Sequence, residues 1–299
     1  MTDNRNAAVW GAFVADALSL GVHWVYNTGV IDKKFGRVEH YHDPLTSYHK
    51  GKKAGDFTHY GDQTLVLLEA VCAKGGFDGQ YFAERWKAFF TDYNGYFDKA
   101  TKTTLENMAT AENLTASGSP SDDLAGAARL AALLPVCSDD LALFVEAARK
   151  QTAITHNNDP VVTSADFFAR VVDATLKGQP PVEAIETTLK TDFRDSDIAP
   201  LVTMGMDSRQ RDTREVIAEF GQMCSVEAGL PGAIHLICRY PDAFQTAMVE
   251  NVMAGGDSSA RGMLAGMVLA AARGMSAIPE EWISQMTAGK HIAELLKQC

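Results

Sequence analysis

The sequence has little of what would tie it to a disulfide frame, a membrane or a nucleic acid. Its five cysteines, Cys72, Cys137, Cys224, Cys238 and Cys299, are scattered, odd in number and contain no C-x-x-C pair. That usage excludes a zinc ribbon and is what reduced thiols in a cytoplasmic protein look like. Cys72, Cys137, Cys224 and Cys238 sit among apolar neighbours and read as packing residues, and the terminal Cys299 reads as exposed. The longest apolar run, 263–272, is too short to cross a bilayer, which takes about 20 residues. Positive charge is scarce: 27 Lys and Arg stand against 38 Asp and Glu, a net charge of -11. A binder of phosphate backbones needs clustered cations. The charge therefore excludes nucleic acid and an anionic membrane surface as partners. Residues 1–6 are polar and lack the apolar stretch of a signal peptide. Alternating strand patterns, fixed-period repeats and long linkers are missing as well. The 46% of apolar residues fall mostly at helical spacing. The expectation is an all-α, compact single domain over 1–299.

Taken in order, Ala7 to Leu20 reads as a buried helix interrupted by Asp16, whose burial demands a polar partner. Residues 27–58 have little periodicity. His40, His42 and His49 fall there and His59 just beyond, and without an i, i+4 pair flanking an acid they read as surface loop histidines. An apolar helix follows Gly61-Asp62-Gln63-Thr64 and ends at Gly75-Gly76. Residues 77–97 form an aromatic amphipathic segment. Residues 117–123 lead into a helix over 124–134 that carries Arg129. Helices are expected over 139–153, 162–176, 182–189, 216–224, 230–238 and 243–254. Pro160 reads as a break, and 191–215 is charged and mixed.

Two remote segments share one design. Gly61-Asp62-Gln63-Thr64 and Gly255-Gly256-Asp257-Ser258-Ser259-Ala260-Arg261 each place a turn and an acid before a buried helix. Asp257 is a good N-cap, and Arg261, four residues on, faces the same side. Paired carboxylates are what metal binding or glycosidic cleavage requires. Sequence spacing alone does not bring Asp62 and Asp257 together. Gly118-Ser119-Pro120-Ser121, at the start of a helix, can offer backbone amides to a phosphate, although Asp122 and Asp123 add opposing charge there.

In order and spacing, Val14-Ala15-Asp16-Ala17, Gly61-Asp62-Gln63-Thr64, Gly118 to Ser121 with Ala128-Arg129, Thr155-His156 and Gly255 to Ala260 resemble the motifs of the ADP-ribosylglycohydrolase family over about residues 7–273. With His23-Trp24 and Gly-Asp-Gln-Thr, the chain looks most similar to a divergent branch that includes the J-type crystallins and selenoprotein J. The resemblance implies an orthogonal all-α helix assembly, a two-magnesium site where the two acidic segments converge, and cleavage of N- or O-glycosidic bonds to ADP-ribose. Carried over by position, Asp62 and Asp257 remain as catalytic and metal-ligating candidates. Gly61 stands for a threonine, Gln63 and Ser259 for acids, and Ala260 for a threonine. Two aspartates do not neutralise two dications. No metal is therefore the preferred expectation, with one weak magnesium the alternative. Arg261 is expected to supply positive charge in its place, pairing with Asp257 or Asp62 or meeting an anionic ligand. Gly118, Ser119, Ser121, His156, Gly255, Gly256 and Ser258 are the implied ligand contacts. His156 is expected to titrate near neutrality. Asp16, Gln63 and Ser259 complete a second layer. The implied partner is a nucleotide or ribosyl ligand or an ADP-ribosylated substrate. Two functional readings stand: a hydrolase with a degraded dinuclear site, or a non-catalytic ligand-binding or structural, crystallin-like descendant.

Overall fold

The computed structural model describes residues 2–299 and, among them, contains helices and isolated β-bridges but no strand. The α-helices are α1 (Thr2–Ser19), α2 (Thr28–Phe35), α3 (His59–Lys74), α4 (Gly79–Phe89), α5 (Lys99–Thr110), α6 (Ala125–Ala128), α7 (Leu134–Cys137), α8 (Leu141–Ala153) and α9 (Asp159–Leu176). They continue as α10 (Pro181–Asp192), α11 (Ala199–Asp207), α12 (Thr213–Phe220), α13 (Val226–Arg239), α14 (Phe244–Met253), α15 (Ser258–Arg273), α16 (Glu280–Ser284) and α17 (Gly289–Gln298).

The last long apolar run becomes the central helix. α15 is buried from Ser258 to Ala271 and packs on α1, α9, α13 and α14. An all-round apolar helix has no solvent face to spare, so it must be surrounded. Burial of Leu264, Met267 and Leu269 contributes about 1.5–3 kcal/mol each. Small residues set how close α1 comes to α15. A Cβ on Gly11 would lie 2.3 Å from the Gly266 carbonyl oxygen, and one on Gly266 would lie 2.5 Å from that of Gly11. Only glycine allows the two backbones to touch at this crossing.

Several expectations need correction. Pro160 does not break a helix but starts one, in the first turn of α9, where its missing N–H costs nothing. Residues 191–215 contain α11, and α2 and α5 lie where no helix was expected. The helix expected over 124–134 is a short α6 followed by a 3-10 turn, Arg129–Leu133. Cys72 and Cys299 are not two unrelated thiols: they form a disulfide with Cα atoms 5.0 Å apart, although 227 residues separate them. The reason is tertiary: α17 packs on α3 and returns the C-terminus to Cys72. His49 and His59 are buried rather than at the surface. The loop that carries His49 folds over the N-terminus of α3 instead of standing in solvent.

Candidate active site

The N-termini of α3 and α15 meet over the last turn of α1, and Asp16 joins them. Its Oδ2 accepts from the Thr58 amide at 2.9 Å, and its Oδ1 accepts from the Thr58 hydroxyl at 2.6 Å and from the Ser259 hydroxyl. Burial pushes Asp16 up to about 6 despite these donors. This carboxyl explains the glycine at position 61: a Cβ there would lie 2.2 Å from Asp16 Oδ2. A threonine cannot occupy the space that Asp16 fills.

The neighbouring positions are also engaged. Asp62 Oδ2 accepts from Lys52 Nζ and from the Tyr93 hydroxyl, both at 2.6 Å. Burial pushes Asp62 up, and Lys52 pulls it down. Gln63 Oε1 accepts from Trp86 Nε1 at 2.8 Å and from Arg129 Nη1 at 3.0 Å. Arg129 also reaches Gln151 and Thr155, and burial lowers its pKa to about 10. Among the described residues Asp62 and Asp257 share no hydrogen-bond partner: Asp62 accepts from Lys52 and Tyr93, and Asp257 from Trp24 and Tyr60.

Asp257 is the N-cap of α15, with Oδ1 accepting from the Ala260 amide at 3.4 Å. Gly255 and Gly256, at φ 71° and 67°, turn the chain into it. Trp24, itself at φ 60°, donates its amide to the Gly256 carbonyl at 2.9 Å. That contact lays the indole across the acid, and Trp24 Nε1 donates to Asp257 Oδ2 at 3.2 Å. On the other side Tyr60 Oη lies 3.0 Å from Asp257 Oδ2 and 2.9 Å from Asp123 Oδ2. Asp123, Cys224 and Asp257 each bring a ligand atom within 4.8 Å of the other two. Burial raises both acids. The nearby charge of Asp257 raises Asp123 further, whereas Trp24 and Tyr60 hold Asp257 down. Asp257 is 1% exposed and Asp123 6%.

The remaining expected contacts scatter around this centre. Arg261 does not pair with Asp257 or Asp62. Its guanidinium donates to Asn251 Oδ1 at 2.8 Å and to the carbonyls of Asn251 and Gly255 at 3.0 Å, which fixes the glycine turn. The Ser258 hydroxyl is buried without a hydrogen-bond partner among the described residues. Gly118 presses on the Ala153 carbonyl, where a Cβ would lie at 2.0 Å. Ser119 bridges to His156 and donates to the Thr155 carbonyl at 2.9 Å. Ser121 accepts from the Asp123 amide at 3.3 Å, which connects this loop to the acids. His156 packs over Gly126 with Nε2 buried and unpaired. It does not titrate near neutrality: burial and Arg129 bring its pKa to about 3.

Three features of the site were not drawn from the sequence. In sequence Asp123 is a helix-start acid whose charge opposes a phosphate, and only its place beside the Gly-Ser loop signals more. Tyr60 directly precedes Gly61-Asp62 and carried no motif of its own. His23, His49 and His59 are too far apart in sequence to announce the buried cluster they form beside Trp24.

The family described as ADP-ribosylglycohydrolase matches residues 2–299. Crystallin J1A of Tripedalia cystophora is 26% identical over 315 residues, covering 99% of this chain and 96% of its own length. Crystallin J1B of the same animal is 24% identical over 319 residues, covering 99% of this chain and 96% of its own. An uncharacterized protein of Archaeoglobus fulgidus is 25% identical over 297 residues, covering 99% and 95%. A solved structure titled ADP-ribosylglycohydrolase-related protein complex superposes with a TM-score of 0.75 at 21% identity, covering 99% of this chain and 96% of that one.

Proposed function

The chain belongs to the ADP-ribosylglycohydrolase family, and from that premise we propose a metal-independent hydrolase of an N- or O-glycosidic bond to ADP-ribose or a related ribosyl ligand, with Asp123 and Asp257 as its acid pair. One observation carries the reading: the Tyr60 hydroxyl lies within hydrogen-bond distance of both carboxyls. A phenol has a single proton to give. One acid accepts that proton, and the other contact is satisfied when its own carboxyl is protonated and donates to the phenolic oxygen. Asp257 Oδ2 also accepts from Trp24, whereas Asp123 takes the Ala125 amide on its Oδ1 and leaves Oδ2 to Tyr60, so Asp123 is the proton holder. Two adjacent carboxyls in unlike protonation states are the equipment of a general acid and its partner.

Closest atoms within 4.8 Å fit the short-separation class of glycosidases, with carboxyls about 5–5.5 Å apart, better than the wide class. In that chemistry Asp123 gives its proton to the leaving atom as its bond to the anomeric carbon breaks. The Asp257 carboxylate forms the new bond to that carbon. Water then displaces Asp257, and Asp123 takes the water proton. A cavity of about 250 Å³ is lined by Lys99, Ser119, Ser121 and Asp122, and Ser121 accepts from the Asp123 amide. Lys99 supplies the cation a pyrophosphate needs. The Trp24 loop must lift for a sugar to reach the acids.

Two-magnesium chemistry does not fit the donors present. Mg²⁺ asks for an octahedron of oxygens with carboxylate charge. Asp62 is held by the Lys52 ammonium, Gln63 by the Arg129 guanidinium, and the Ser259 hydroxyl by Asp16. Ala260 offers no side-chain oxygen. The family's metals are thus replaced by two cationic side chains and one internal carboxyl.

A second reading, a non-catalytic binding or structural protein, is supported by the near-complete burial of both acids beneath Trp24 and by likeness to two proteins named as crystallins. The readings separate on release of ADP-ribose from an ADP-ribosylated peptide by EDTA-treated protein, with Asp123→Asn beside it. Release that depends on Asp123 supports the hydrolase. Its absence supports the second reading.

A further inference from the structure

Beside the acid pair lie three histidines with no assigned work. His23, His49 and His59 are 0%, 1% and 0% exposed. Both ring nitrogens of His23 and of His59, and Nε2 of His49, are buried without a hydrogen-bond partner among the described residues, although His59 Nε2 comes close to Asp98. Buried polar atoms are nearly always paired, and five orphaned nitrogens in one cluster need an explanation. Each ring brings a nitrogen within 4.8 Å of the other two. The ring centroids are 5.2, 5.6 and 6.1 Å apart.

We propose that His23, His49 and His59 form a binding site for a divalent transition-metal ion of the zinc class. Three imidazoles around one zinc at about 2.0–2.1 Å, with tetrahedral angles, put their centroids roughly 5–5.5 Å apart. The observed triangle matches on two sides and is slightly open on the third. A small inward rotation of the rings closes it. Imidazole donors select zinc, copper, iron or nickel and not magnesium, which wants oxygen. The site is therefore different in kind from the family's acidic segments. Burial, then the charges of His59 and Lys52, bring His49 to about 3, the neutral form that ligates. Burial likewise holds His23 well below its ordinary value.

The surroundings are those of a metal centre. His59 Nε2 lies 3.1 Å from Asp98 Oδ2. A carboxylate behind a metal-bound histidine fixes the ring and raises its basicity. Asp98 is itself fixed as the N-cap of α5, accepting from the Thr101 amide. Trp24, Tyr60 and Tyr96 wall the cluster, with centroids 4.1–5.6 Å from its rings where they meet His23, Trp24 over His59, or His59 itself. Three protein ligands leave a fourth position for water or a ligand oxygen. The assignment stands apart from the proposed hydrolysis, which uses neither the histidines nor a metal.

The test loads the full-length, EDTA-stripped protein with Zn²⁺ and, separately, with Co²⁺. The expected result is one Zn²⁺ per chain and a tetrahedral Co²⁺ spectrum without a thiolate charge-transfer band. His49→Asn is expected to abolish stoichiometric uptake, and His40→Asn, at an exposed histidine, to leave it unchanged. Asp98→Asn is expected to weaken Zn²⁺ binding about 10- to 100-fold. Should His49→Asn fail to fold, the wild-type Co²⁺ spectrum decides alone. A thiolate band would put the ion on Cys224 with Asp123 and Asp257 and overturn the assignment. So would substoichiometric zinc in the wild type, or full uptake by folded His49→Asn.

Discussion

Asp123 and Asp257 stand on either side of one hydroxyl, with their Oδ2 atoms 2.9 and 3.0 Å from Tyr60 Oη. The phenol belongs to α3, Asp257 caps α15, and Asp123 lies just before α6, so one oxygen ties three parts of the chain. Tyr60→Phe removes it, which takes one donor from the Asp257 carboxylate and the acceptor from the protonated Asp123 carboxyl. The expected loss is roughly 1–3 kcal/mol, read from urea denaturation at pH 7. Unchanged stability would mean the two contacts carry no net interaction.

Asp16 gives the fold a defined pH dependence. Its pKa is about 6 in the folded chain and about 3.9 when unfolded. Below pH 4 both states hold the proton. As pH rises from 4 to 6 the unfolded chain ionises first, so stability falls, and above 6 the loss is complete. The span corresponds to about 3 kcal/mol. Asp16→Asn, which offers an oxygen to the Thr58 amide and an NH₂ to the two hydroxyls, should be flatter across this range than the wild type. Parallel curves for the two proteins from pH 4 to 6.5 would refute the assignment.

The disulfide is directly countable. Cys137, Cys224 and Cys238 are free, and Cys72 is joined to Cys299. Thiol titration in denaturant should find three groups without reductant and five after reduction. The bridge closes a loop of 227 residues, so its loss should lower stability by up to about 5 kcal/mol on the loop-entropy account. Five thiols before reduction in air-equilibrated protein would contradict the pairing.

Gln63 tests whether the metal site was lost by one substitution or by several. Gln63→Asp restores an acid, but the Arg129 guanidinium that lies 3.0 Å from the Gln63 oxygen remains beside it, and Lys52 still holds Asp62. The guanidinium and the new carboxylate should pair, and calorimetric titration with Mg²⁺ should remain silent. Stoichiometric Mg²⁺ uptake by Gln63→Asp alone would show that the two cations are easily displaced.

The helical architecture was legible because apolar residues recur at helical spacing and the central run 263–272 has no polar face. Asp257 could be read as a cap for the same local reason: the Gly-Gly turn and the helix start are adjacent in sequence. Where the acid's partner lies was not legible. Asp62 repeats the same local design as Asp257, and its own partners, Lys52 and Tyr93, lie 10 and 31 residues away in sequence. Asp123 faces Asp257 because the chain before α6 bridges to Ser225, and that bridge has no signature in either segment. The glycine at 61 looked like a lost ligand; in space it is the room that Asp16 requires. Cys72 with Cys299, and the three histidines, are tertiary neighbours of the same kind. Their residue types were visible, and their distances were not.

The central claim is that Asp123 and Asp257, and not a metal on Asp62 and Asp257, perform the chemistry. Its most direct measurement is the rate of ADP-ribose release from an ADP-ribosylated peptide in EDTA by wild type, Asp123→Asn, Asp257→Asn and Asp62→Asn. The account predicts release by the wild type and by Asp62→Asn, and loss of at least about 100-fold, the lower range for removing a general acid or base, in each of the other two. Release that requires added Mg²⁺ and disappears in Asp62→Asn while surviving in Asp123→Asn would contradict it.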